Sequence, residues 1–137
     1  MIVIDTSVIV KWFSEEKHTE EALKLREDIR NKKEIGVFPD LLLYELTNAL
    51  RYNPNFDEGD VKDAIGSILD MDMDIITLTS DVLNNTISIS FERNITIYDS
   101  SYVALAMELE SKLVTADKKL YDKVADFDFV NYIGDIY

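Results

Sequence analysis

Short apolar runs recur along this chain, and each but the last is separated from the next by sequence of helical character. The runs are Ile2–Ile4 (IVI), Ile35–Phe38 (IGVF), Asp74–Leu78 (DIITL) and Leu113–Thr115 (LVT), with Phe129–Tyr132 as a fifth candidate. Apolar runs of this length read as strands buried on both faces. Between them the apolar spacing turns helical: Thr6 to Phe13, then Glu16 to Lys33 with Ala22, Leu23, Leu25 and Ile29 as its apolar positions. Pro39 and Asp40 open LLLYELTNALRY, whose Leu42, Leu43, Leu46, Ala49 and Leu50 form one stripe. Val61–Leu69, Tyr98–Leu109 and Lys118–Val124 complete the helical set. Strands spaced by helices imply right-handed crossovers and a mostly parallel sheet with helices on both faces. The expected class is α/β, and in such sheets ligands bind beyond the carboxyl ends of the strands.

With 137 residues, four glycines, two prolines and no linker or repeat, one domain spanning residues 1–137 is expected. The clearest loop is NPNFDEGD. No cysteine is present, which excludes disulfides, thiolate metal sites and cysteine nucleophiles. The single histidine, His18, lies in SEEKHTEE and reads as a solvated helix-face residue. Fourteen Lys and Arg against 27 Asp and Glu give 14 − 27 = −13. That balance argues against a generic polyanion-binding surface and suits cations or a basic partner. Asp5 and Lys11 interrupt the apolar start, and no run approaches the ~18 residues of a membrane span. A soluble, cytoplasmic protein is expected.

One stretch is ambiguous. TISISFERNITIYD, from Thr86, alternates as a hairpin does, while the preceding TSDVL resembles a helix start. Both readings stand on local pattern.

Three aspartates sit at entries to helices: Asp5 after the first strand, Asp99 after ITIY and Asp117 just beyond LVT. Alone, each reads as a helix N-cap. Together they would collect at one sheet edge if the preceding segments run parallel. Glu45 borders the apolar stripe of its helix, where a carboxylate needs a partner. Asn48, one turn later, can hold a neighbouring carboxylate or a bound water. Crowded carboxylates repel one another unless a cation compensates, and hard oxygen ligands suit Mg²⁺ or Mn²⁺. Such an ion supports phosphodiester hydrolysis.

Four stretches in order, IVIDTSVIVKWF, PDLLLYELTNAL, TIYDSSYVALAMEL and LVTADKKLY, resemble the PIN-domain ribonucleases, specifically the VapC-type toxins of toxin–antitoxin pairs. The resemblance covers nearly the whole chain. It implies a three-layer α/β/α sandwich with a parallel sheet of four or five strands. Under it, Asp5, Asp99 and Asp117 are metal ligands, directly or through water, and Glu45 completes the catalytic quartet. Thr6, Ser7, Asn48 and Thr115 are supporting residues. It also implies Mg²⁺ or Mn²⁺, an RNA substrate, a cognate antitoxin and a homodimer. The segment Ser80 to Arg93 becomes a helix leading to a short ITI segment. Lys11 and Arg51 are ordinary surface charges or phosphate contacts, and Trp12 and Phe13 are packing or dimer-contact residues.

Three alternatives compete with the toxin: a stand-alone PIN nuclease of RNA processing, an inactive PIN-fold scaffold, and a receiver-like Mg²⁺-binding module. The receiver wants an acidic pair after the first strand and an acceptor Asp ending the third. This chain has one Asp at the first place and Thr77 and Thr79 near the second.

Overall fold

The computed structural model describes every residue from Met1 to Tyr137. Five strands form one sheet: β1 (Ile2–Ile4), β2 (Gly36–Pro39), β3 (Asp74–Ile76), β4 (Lys112–Thr115) and β5 (Val130–Tyr132). Seven helices separate them: α1 (Thr6–Ile9), α2 (Thr19–Arg30), α3 (Leu41–Arg51), α4 (Glu58–Leu69), α5 (Ser80–Arg93), α6 (Ile97–Glu108) and α7 (Lys118–Val124). The strand order is β3-β2-β1-β4-β5, and every pairing is parallel. In register, Ile2 lies between Gly36 and Lys112, and Ile4 faces Val114.

The order reverses at β1. From there the chain steps outward to β2 and β3, then returns across the sheet to β4. Right-handed crossovers therefore put α1–α4 on one face and α5–α7 on the other. The carboxyl ends of β1 and β4, side by side at the reversal, are where an open parallel sheet gathers its ligand site.

Helix α6 is the centre of its layer. Residues 100–106 are buried without interruption, as expected of a helix covered on every side. It packs on β1, β2 and β4 and takes α5 on its outer side. The Ser100 hydroxyl donates to the Thr86 carbonyl of α5 at 2.6 Å, so the two helices are joined by a buried hydrogen bond.

Several boundaries differ from the sequence expectation. The Thr6–Phe13 helix is one α-turn followed by a 3₁₀ turn at Val10–Trp12. The expected Glu16–Lys33 helix is α2, shorter at both ends, with His18 and Lys32 at positive φ as the flanking breaks. Helix α4 begins three residues early because Asp57 and Asp60 form a reciprocal capping box inside the expected loop. Segment 80–93 is helical, not a hairpin. No ITI strand follows it: Asn94 turns the chain at φ 53°, and Thr96 caps α6.

Two expectations about single residues are corrected. His18 is half-buried and edge-on to Tyr132, with ring centroids 5.5 Å apart. Lys11 is turned inward, only 9% exposed, and pairs with Glu16 at 3.1 Å, so it offers no charge to a phosphate. Trp12 is buried as expected, its indole N–H donating to the Ala22 carbonyl.

Candidate functional site

Asp5 occupies the N-cap position of α1, yet its carboxylate caps nothing. It accepts instead from the hydroxyls of Ser7 and Thr115, both at 2.7 Å and both on Oδ2. Each hydroxyl is itself held from behind. The Ala116 N–H donates to Ser7 Oγ at 2.9 Å, and the Asp117 N–H donates to Thr115 Oγ1 at 3.1 Å. With both hydroxyl protons committed to Asp5, the 3.4 Å Ser7–Thr115 approach is a packing contact. The latch exists because β1 and β4 run parallel and adjacent. Asp5 is 4% exposed, and burial pushes its carboxyl up to about pKa 6. The two hydroxyls oppose that shift, and the charges of Asp99 and Glu45 add to it.

Glu45 projects from α3. Its Oε1 accepts from Tyr102 OH at 2.6 Å and from Thr6 Oγ1 at 2.9 Å. Asp99 lies in the first turn of α6 and is no cap: its backbone N–H donates to the true cap, Thr96. Burial raises the Asp99 pKa, followed by the charges of Asp117 and Glu45. Asp117 does cap α7, accepting from the Leu120 N–H at 3.1 Å. Asp99 thus links the four predicted carboxylates at the β1/β4 edge: Asp5 feels the charges of Asp99 and Glu45, and Asp99 those of Asp117 and Glu45. Ordinary cap chemistry accounts for one of them.

No lysine, arginine or histidine pairs with any of the four. A partly buried, uncompensated set of carboxylates is the arrangement a divalent cation would neutralise. No group of three or more acidic or histidine side chains is drawn close enough together to hold a metal ion by itself. Carboxylate oxygens are the donors that Mg²⁺ and Mn²⁺ take, ions that keep several waters or substrate oxygens beside one or two protein carboxylates.

Of the supporting residues, Thr6, Ser7 and Thr115 each bond a site carboxylate. Asn48 does not: it is exposed and lines a cavity of about 1140 Å³ between α3 and α4, with Tyr44, Arg51 and Phe56. None of the four carboxylates lines that cavity. Tyr102 escaped the sequence reading. Its signal was a phenol three residues after Asp99 in the otherwise apolar YVALA, where a buried hydroxyl must find a partner.

The PIN domain family model matches residues 2–126. Ribonuclease VapC3 of Pyrobaculum aerophilum is 25% identical over 126 residues, covering 89% of this chain and 93% of that protein. Among solved structures, VapBC2 from Rickettsia felis, bound to a DNA fragment from its promoter, superposes with a TM-score of 0.74 at 16% identity. That match covers 96% of this chain and 98% of the other. Mycobacterium tuberculosis VapC20, a toxin that cleaves the sarcin-ricin loop, gives a TM-score of 0.71 at 16% identity, covering 89% and 94%. At these identities the structural matches establish the shared fold.

Proposed function

This chain belongs to the PIN-domain family, and from that premise we propose that it is a metal-dependent endoribonuclease of the VapC toxin type, acting at the β1/β4 edge. The observation that carries the reading is the set of Asp5, Glu45, Asp99 and Asp117, gathered without a compensating cation. The relatives named ribonuclease and loop-cleaving toxin support RNA as the substrate.

Asp5, Asp99 and Asp117 would hold Mg²⁺ or Mn²⁺, and Glu45 would complete the site. When bound, such an ion lowers the pKa of water and stabilises charge on a phosphoryl group under in-line attack. The chain's own work is positional. Ser7 and Thr115 fix Asp5 against repulsion by its neighbours, and Thr6 and Tyr102 do the same for Glu45. Reacting groups held in place need less reorganisation at the moment of cleavage.

The same reading places the protein with RNA in the cytoplasm, paired with an antitoxin whose basic residues would match the −13 charge. It also includes a homodimer. Residues 83–91 carry no charge in a chain that is 30% charged, and Leu83, Ile87 and Phe91 are exposed along that stretch of α5. A second copy, itself at −13, approaches with least repulsion there.

The test is cleavage of single-stranded RNA with and without Mg²⁺ or Mn²⁺, comparing wild type with Asp5→Asn and Asp99→Asn. Cleavage should require metal and fall by about 10²-fold or more in each folded variant. Cleavage that survives chelation, or unchanged rates in both variants, overturns the assignment.

A further inference from the structure

Two hydroxyls converge on one oxygen of Glu45. Tyr102 OH lies 2.6 Å from Oε1, Thr6 Oγ1 lies 2.9 Å from it, and the two hydroxyl oxygens are 2.7 Å apart. Three contacts share two hydroxyl protons. Either both protons run to Oε1, or one passes between the hydroxyls while the other reaches Oε1. In every arrangement Oε1 accepts, and no protein group donates to Oε2.

The three residues come from three elements: Thr6 from α1, Glu45 from α3 and Tyr102 from α6. Tyr102 is fully buried inside a helix that is itself buried along this stretch, so close packing fixes the ring and its hydroxyl. Glu45 is only partly covered. Left to itself, a flexible glutamate facing Asp5 and Asp99 would swing toward solvent to escape their charge.

We propose that Tyr102 is a positioning residue: its phenol commits Oε1 of Glu45 to the scaffold, so that Oε2 alone is presented to the cation and the RNA phosphate. Thr6 is the auxiliary donor. The inference rests on the ribonuclease reading for its catalytic arm and on cation binding for the other. It makes Glu45 act chiefly through Oε2, with Oε1 held to the scaffold.

The experiment is a double-mutant cycle with Tyr102→Phe and Glu45→Ala in the full chain. It is read by calorimetric titration with Mn²⁺ and by cleavage of single-stranded RNA. Tyr102→Phe keeps the ring and removes only the hydroxyl. It should melt cooperatively, bind Mn²⁺ about tenfold more weakly and lose about tenfold or more in kcat, with KM little changed. In the Glu45→Ala background the same substitution should change neither quantity, because its target is gone. Thr6→Val, which leaves the phenol in place, should cost less than Tyr102→Phe. Equal losses in both backgrounds, wild-type behaviour of Tyr102→Phe, or a larger loss from Thr6→Val overturns the assignment. A wild type that binds Mn²⁺ but cleaves no RNA refutes the ribonuclease reading and leaves the calorimetric cycle to judge Tyr102. Failure of wild type to bind Mn²⁺ overturns both.

Discussion

Asp5 shows how a candidate site residue can hide as a structural one. It stands where a helix cap stands, but its carboxylate is aimed at Ser7 and Thr115 across the strand boundary. Its burial has a cost in stability, which the two hydroxyls reduce without cancelling. The folded pKa, about 6, lies above the ordinary value of 3.8, so between those pH values the native state binds more protons than the unfolded chain. Asp5's contribution therefore declines as pH rises from about 4 to 6, and above 6 a buried charge is retained at a penalty of roughly 3 kcal/mol at most. Asp5→Asn removes the charge while its amide oxygen can still accept from both hydroxyls. In chelator, the variant should be more stable than wild type at pH 7, by about 1–3 kcal/mol in denaturant melts. The gap should shrink by about 1 kcal/mol at pH 5. Added Mn²⁺ should raise the wild-type melting temperature at pH 7 and leave Asp5→Asn nearly unmoved. A variant less stable than wild type at pH 7 would show that the carboxylate is satisfied without an ion.

At the scale of elements, the strands and the parallel class were legible because β1 and β2 are short apolar runs, β3, β4 and β5 have apolar residues beside Asp74, Lys112 and Asn131, and helical sequence separates each strand from the next. Helix α5 was legible only through its resemblance to a known family. Its alternation arises from two helical rows superimposed: Val82, Thr86 and Ile89 face the core, while Leu83, Ile87 and Phe91 face outward. Local pattern cannot separate an exposed apolar row from a strand face, since the distinction depends on what covers the row. The outward row makes a prediction. Phe91, 84% exposed, replaced by Glu, should shift the protein toward monomer in sedimentation without lowering its melting temperature at concentrations where wild type is already monomeric. Unchanged sedimentation would remove α5 from the interface. The end of α5 offers a second test. Asn94 turns the chain at φ 53°, a region costly to β-branched side chains. Asn94→Val should cost about 1–2 kcal/mol in equilibrium unfolding, and Asn94→Gly close to nothing. Asp99, which read alone as a helix cap, sits instead in the first turn of α6, because Thr96 three residues earlier takes the cap position.

For the whole molecule, charge and substrate are in tension. A chain at −13 meets a polyanion, and the cation proposed to compensate the carboxylates would act only at contact distance. The long-range field is therefore repulsive, opposite to that of a basic nucleic-acid binder, whose affinity falls with salt as counterions are released. The Debye length shortens from about 30 Å at 0.01 M to about 10 Å at 0.1 M ionic strength. Over that range repulsion between protein and RNA is screened, and so is repulsion between two copies in the proposed α5 dimer. At saturating Mn²⁺, kcat/KM for a short single-stranded RNA should rise with NaCl between 0.01 and 0.1 M, and the dimer should tighten in parallel. The rise belongs in KM, because screening acts on encounter and leaves the latched carboxylates unchanged. A kcat/KM that falls steeply with salt would instead reveal a basic RNA track strong enough to outweigh the net charge. Charge-reversal of exposed lysines, one helix at a time, would then locate it.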